Sequence, residues 1–259
     1  MMRALWTAGS GMRGQQLNID VIAHNLSNVN TTGFKKSRVE FQDLIYETLG
    51  GTGTRRGGLG RPVGIQVGHG VRPAATQRLF SPGSLQETGN PLDLAIEGTG
   101  FFEVLLPNGS TAYTRDGSFK LDADGYLVTS DGYLLLPEVA VPPEAREINI
   151  GPDGMVSYEL DGEREEGDQL TLVTFSNPAG LEAMGRNLYR DTGASGVLET
   201  GLIPGEDCGT LISGYLELSN VQVVEEMVNM IVAQRAYETS AKAIQASDEM
   251  LSLANNLRR

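Results

Sequence analysis

The forty-five residues from Tyr215 to Arg259 contain neither glycine nor proline, in a chain of 259 residues that holds 33 of the one and 11 of the other. A long helix is the natural reading, because both residues punctuate every other part of the chain. Apolar residues recur at sevens along it, at Val223, Met230, Tyr237, Ile244 and Leu251. The stripe widens near its start through Val221, Val224, Met227, Val228 and Ile231, and is broader than a lone surface helix needs. Ser219 and Gln222 have capping-box spacing, and Glu225 and Glu226 sit where a helix dipole favours carboxylates. A helix over residues 221–257 would be roughly 55 Å long.

The N-terminus repeats the pattern. Leu5, Met12, Ile19 and Leu26 fall seven apart, with Ala8, Gln15, Ile22 and Val29 as the companion row. This predicts one amphipathic helix over residues 3–29, roughly 40 Å long, closing near Asn30-Thr31-Thr32-Gly33 where glycine can turn left-handed. Gly9, Gly11 and Gly14 each weaken it by about 1 kcal/mol against alanine, so its order depends on packing. His24 reads as a packed or interfacial imidazole within it, and His69, between two glycines, as a turn residue.

Between the helices the period drops to two, with Asn108-Gly109, Asp116-Gly117, Asp124-Gly125, Asp131-Gly132, Asp153-Gly154 and Asp161-Gly162 as hairpin turns. They separate short strands at 101–106, 111–114, 126–129, 133–136, 155–158 and 170–175, an antiparallel β region. The fold class is therefore α+β. Residues 50–70, with Gly50, Gly64 and the basic Arg55, Arg56 and Arg61, form a glycine-rich stretch read as a long loop or extended hairpin.

Known chemistries are poorly served. One cysteine (Cys208) and two histidines exclude a disulfide framework and a Cys/His metal cage. Residues 1–90 carry ten Lys/Arg against five Asp/Glu, and the remainder ten against twenty-eight. So acidic a body disfavours nucleic acid and anionic membranes as partners. Gly51 to Gly57 lacks dinucleotide-fingerprint spacing. Asp122-Ala123-Asp124-Gly125 lacks the remaining ligands of a calcium loop and reads as a hairpin turn. Gly193-Ala194-Ser195-Gly196 falls short of a nucleophile elbow and reads as a surface turn. Glu163, Glu165 and Glu166 read as a solvated loop. No catalytic residue, cofactor, metal site or small-molecule substrate is expected. No apolar run is long enough to span a bilayer, and the N-terminus lacks a Sec-type signal, which leaves export by a system that reads an uncleaved end.

The helices carry the sharper signal. A β domain of this size is about 30–40 Å across, so a helix of some 55 Å overhangs it with an apolar stripe exposed, as association surfaces are. The expectation is a self-associating protein whose ends order on assembly. A secreted β-rich adhesin or binding module is the competing class.

Three segments resemble one family, the flagellar rod and hook axial proteins. Asn18 to Lys35, which includes Asn25, Asn28, Gly33 and Phe34, resembles its N-terminal signature. Gly98 to Val104 with Tyr113 to Phe119 is similar to its β-domain motif, and Leu218 to Val221 with Glu226 to Ile231 and Gln234 to Glu238 completes the likeness. The resemblance implies a non-enzymatic structural subunit that forms a helical homopolymer. In it the terminal helices pack coaxially in a coiled-coil-like core around an export channel, and the shaft carries torque across the periplasm from motor to hook. Implied partners are other rod proteins, the hook protein, the P and L ring bushing and the flagellar type III export apparatus. The expected domains are 1–30 with 217–259 as the helical core, 31–70 as a connecting segment with the hairpin at about 47–70, and 71–216 as a β-rich outer domain. Within the family the glycine-rich insert resembles that of distal rod subunits, a proximal rod or hook-type protein being the alternative. The resemblance assigns assembly to Leu5, Met12, Ile19, Ile22, Leu26 and Val29 at one end and to the Val221 to Leu251 stripe at the other. It assigns rod stiffening to Gly50, Arg55, Arg56, Arg61 and Gly64.

Overall fold

The computed structural model describes residues 2–50, 64–142, 144–160, 162–205 and 208–256. The chain divides into two compact units, one of residues 1–26, 37–77 and 222–259, the other of 27–36 and 78–221.

The first unit holds helix α1 (Met2–Ser27), strands β1 (Ser37–Asp43), β2 (Tyr46–Gly50), β3 (Ile65–Gly68) and β4 (Val71–Arg78), and the C-terminal helix, α2 (Val223–Asn256). β1 pairs with β4, and β2 pairs antiparallel with β3, Tyr46 opposite Gly68 and Glu47 opposite Val67. The segment joining β2 to β3, with Arg55, Arg56 and Arg61, lies outside the described residues. The helices run antiparallel: a Cβ on Gly11 would meet Ser240 Oγ at 3.4 Å, and Asn25 donates to Glu226 at 3.3 Å. α1 closes at Ser27, so Val29 sits in the following turn rather than in the helix. α2 begins after Gln222, whose carbonyl accepts from Glu226 N–H at 3.0 Å. Ser219 is not its cap; its hydroxyl accepts from Val221 N–H at 3.3 Å, which places Val221 before the helix.

The second unit is antiparallel β throughout its named pairings. Its strands are β5 (Leu85–Glu87), β6 (Leu94–Glu97), β7 (Phe102–Leu105), β8 (Thr111–Thr114), β9 (Lys120–Leu121), β10 (Leu127–Val128), β11 (Leu134–Leu136), β12 (Arg146–Ile150), β13 (Met155–Leu160) and β14 (Glu163–Gln169). β15 (Leu172–Phe175), β16 (Glu182–Gly185), β17 (Leu188–Arg190), β18 (Leu198–Leu202), β19 (Thr210–Ser213) and β20 (Tyr215–Glu217) complete them. The largest sheet runs β16-β17-β8-β7-β11-β10-β9. Alternation along β7 sends Phe102 and Val104 into a core with Phe119, Leu127, Leu135 and Leu172. Phe101, one residue earlier, enters a second cluster with Tyr113, Phe175 and Tyr189, where edge-to-face rings lie 4.9 to 6.1 Å apart. One diaromatic step thus seeds two cores.

The turn glycines at 109, 125, 132, 154 and 162 all have positive φ, as hairpin turns require. Asp116-Gly117 differs: it makes no hairpin, and Gly117 instead lets two backbones meet, since a Cβ there would lie 1.7 Å from Leu94 O. The Thr192–Gly196 turn is less exposed than expected, with the Ser195 hydroxyl buried and bonded to Thr192 O at 2.7 Å. β14 replaces the expected loop at Glu163, Glu165 and Glu166, pairing with β13 while its side chains stay exposed.

Candidate functional site

In the helical unit the residues at closest approach are small or polar. Glu226, Ala233 and Ser247 are buried and Ser240 is half-buried; they too recur at sevens, a row offset by three from the apolar one. The serine hydroxyls are satisfied one turn back, Ser240 on Ala236 O at 3.0 Å and Ser247 on Ala243 O at 2.8 Å. Met230, Ile244 and Leu251 flank this row half-buried, whereas Val223 and Tyr237 are each 40% exposed. Val224, Met227, Val228 and Ile231 point away, between 51 and 77% exposed. On α1, Ile22 is buried and Leu5, Met12, Ile19 and Leu26 are half-buried. His24 is exposed. The small-residue row was visible as a repeat, but hydrophobic periodicity gives Ala and Ser no weight.

Asn25 ties helix to strand. Its amide mimics a β-ladder partner for Ser37, donating to Ser37 O at 2.8 Å and accepting from Ser37 N–H at 3.0 Å. It also holds the Glu226 carboxylate of α2. Asn28 bonds to Thr31 in the turn that follows α1.

Within the β unit the chain entering at Gly33–Lys36 and the chain leaving at Tyr215–Val221 are fastened together. Gly33, at φ +66°, donates to Glu217 O at 2.8 Å; a Cβ on it would lie 2.6 Å from Asp116 N. It is therefore the left-handed glycine anticipated, set six residues past the helix end and closing onto the Arg115–Asp116 backbone rather than capping α1. Phe34 is buried, and Asn220 Oδ1 accepts from Lys36 N–H at 2.7 Å while its amide donates to Leu79 O and Ser81 O.

Beneath this lies a buried ionic triad that sequence reasoning missed. Lys35, fully enclosed, donates to Glu217 at 2.5 Å and to Ser81 O at 2.9 Å. The second Glu217 oxygen accepts from Arg115 at 3.3 Å, and Gly83 N–H donates to the first at 2.8 Å. Arg115 also donates to Ile96 O and Gly98 O and stacks 5.3 Å from the Phe101 ring centre. Burial pushes Lys35 and Arg115 below their ordinary values, with Glu217 opposing the shift in each. Lys and Glu are almost never fully buried unless paired, yet nothing in the local sequence marks these two, which stand 182 positions apart. All three side chains are shielded from solvent, Lys35 at 0%, Glu217 at 2% and Arg115 at 4% exposed. What it does is mechanical, holding two chain crossings on one β scaffold. Among the described residues no group of His, Cys, Asp and Glu could hold a metal ion.

Three family models match the chain: one described as flagella basal body rod protein at residues 5–35, one as flagellar hook protein FlgE/F/G D1 domain at 95–158, and one as flagellar basal body rod FlgEFG protein C-terminal at 212–257. Each member of the triad comes from a different one of these segments. The chain is 55% identical over its whole length to the whole of a Borreliella burgdorferi protein named flagellar basal-body rod protein FlgG. Proteins of the same name from Caulobacter vibrioides and Bacillus subtilis are 45% and 42% identical, over 99% and 100% of this chain and 100% of each relative. A flagellar hook protein FlgE from Helicobacter mustelae is 48% identical over 137 residues, covering 52% of this chain and 30% of that one.

Proposed function

The chain belongs to the flagellar basal-body rod and hook protein family, and from that membership we propose that it is a structural subunit of the distal rod, polymerising into the tubular shaft that carries torque to the hook and encloses the export channel. The observation that carries this reading is end-to-end identity to rod proteins together with terminal helices that leave a broad apolar face uncovered. Shaft proteins need such faces, because each copy must be buried by its neighbours. Other rod proteins, the hook protein, the P and L ring bushing and the type III export apparatus are its partners, and it reaches the periplasmic rod without signal cleavage. The terminal helices form the axial core and the β unit its outer layer, with load passing between chain ends through the Lys35–Glu217–Arg115 triad.

Purified full-length chain, driven to polymerise and viewed by negative-stain electron microscopy, should give straight tubes with a lumen. Monomers or closed dimers under every assembly condition overturn the reading. The glycine-rich segment between β2 and β3 supplies stiffness by packing on neighbouring subunits, since the entropy that so many glycines lose on folding must be offset by contacts. Removal of Gly50 to Gly64 should yield a bendable polymer; a rod as straight and stiff as the parent would refute that role.

A further inference from the structure

The first turns of α1 place Met2, Leu5, Trp6, Gly9 and Arg13 at helical spacing on one face. Together with Leu44 and the start of β4 that face lines an open groove of about 660 Å³. Trp6 is 75% exposed, so the apolar lining of the free chain meets water. A side chain at Gly9 would meet nothing within 4 Å, and its absence leaves the groove open. Among the described residues Arg13 and Arg72 are the only charged ones lining it. Arg72 donates to Gln42 at 3.1 Å, and Arg13 makes no hydrogen bond or ion pair with a described residue. Ser10 is already engaged, donating to Thr7 O and accepting from Val71 N–H. No acidic side chain occurs before Asp20, so the first half of α1 offers neither guanidinium a carboxylate.

The volume and the mostly apolar lining are those of small-ligand sites, which hold about 300–1,000 Å³. Two guanidinium groups select an oxyanion, which they bind through charge-assisted, bidentate hydrogen bonds. Met2 to Arg13 covers roughly 16 Å of helix axis, a trough that suits an extended alkyl chain. We propose that the groove binds a long-chain carboxylate, its chain against Leu5, Trp6 and Leu44 and its head on Arg13 and Arg72. The ligand is the free amphiphile rather than a bilayer headgroup, because the acidic body of the chain is repelled by anionic membranes. Binding covers apolar surface that the unassembled chain exposes, and it does not depend on the rod reading.

Trp6 is the only tryptophan of the chain, so the emission of the full-length monomer reports the groove directly. Dodecanoate, titrated below its micelle concentration, should shift that emission to shorter wavelength and saturate. Monododecanoylglycerol, with the same chain and no charge, should bind about tenfold more weakly or worse, and Arg13→Gln with Arg72→Gln should weaken dodecanoate binding by a similar factor. Gly9→Leu fills the groove with a residue that helices favour, and should abolish binding. Circular dichroism at 222 nm, unchanged in each variant, separates a lost contact from a lost helix. Unchanged emission with dodecanoate, an equal response to the neutral lipid, or a response that Gly9→Leu retains overturns the site. Phosphatidylglycerol vesicles that bind more tightly than dodecanoate overturn its assignment to a free amphiphile.

Discussion

Removing Glu217 should cost the β unit far more than removing Lys35, although the two form one ion pair. Glu217→Leu strands two enclosed cations and the Gly83 N–H, because Lys35, Arg115 and that amide all converge on the one carboxylate. An uncompensated buried charge costs about 3–5 kcal/mol. Lys35→Met leaves Glu217 with Arg115 and Gly83, and leaves the Ser81 carbonyl with the Asn220 amide, so the loss is that of one charged hydrogen-bond donor, about 1–3 kcal/mol. The double variant, Lys35→Met with Glu217→Leu, should be destabilised by less than the sum of the singles, as expected of groups in one network. Native-state hydrogen exchange of amides in β6, β7 and β8, followed through urea, reads this unit separately from the helices, whose unfolding would confuse a single global transition. Equal costs for the two single variants, or a Glu217→Leu effect below about 1 kcal/mol, would refute the triad as the fastening of the two crossings.

Three further outcomes follow from the same geometry. Since Lys35 is held below its ordinary value by burial, the folded state releases that proton before the unfolded one. Stability relative to Lys35→Met should therefore rise with pH in the alkaline window below 10.5, and urea midpoints across that range will show the slope or its absence. Gly33→Ala should cost more than about 2 kcal/mol, from positive φ plus collision with the Asp116 backbone, whereas Gly109→Ala, at positive φ in open space, should cost about 1 kcal/mol; comparable thermal shifts would contradict this. Asn25→Ala should destabilise the helical unit by about 2–3 kcal/mol through loss of both Ser37 bonds, and Asn25→Asp should be at least as damaging by placing a carboxylate against Glu226, both measurable by circular dichroism melts at 222 nm.

The elements were legible where a local rule decides them. Freedom from Gly and Pro marked α2, and Asn-Gly or Asp-Gly at positive φ marked the turns at 109 and 132. The rule misled at Gly117, where glycine is demanded by a backbone approach that only the folded chain creates. Heptads marked both terminal helices as amphipathic, with the apolar row of α2 at Val223, Met230, Tyr237, Ile244 and Leu251, but did not show where α1 and α2 of one chain meet. The helices approach along Ala233, Ser240 and Ser247, because small side chains permit a closer contact than the large ones that dominate hydropathy. Lys35 and Glu217 were invisible for a different reason: their pairing is long-range, and each alone reads as a surface charge.

The central claim is that the uncovered faces of α1 and α2 become the inside of a polymer. Hydroxyl-radical footprinting with mass spectrometry, on monomer and on assembled filament, measures it directly at Trp6 and Met227, which are 75% and 51% exposed in the single chain. Strong labelling of both in the monomer and protection of both in the filament is the expected result. Equal labelling in the two samples, with filaments present, would contradict it.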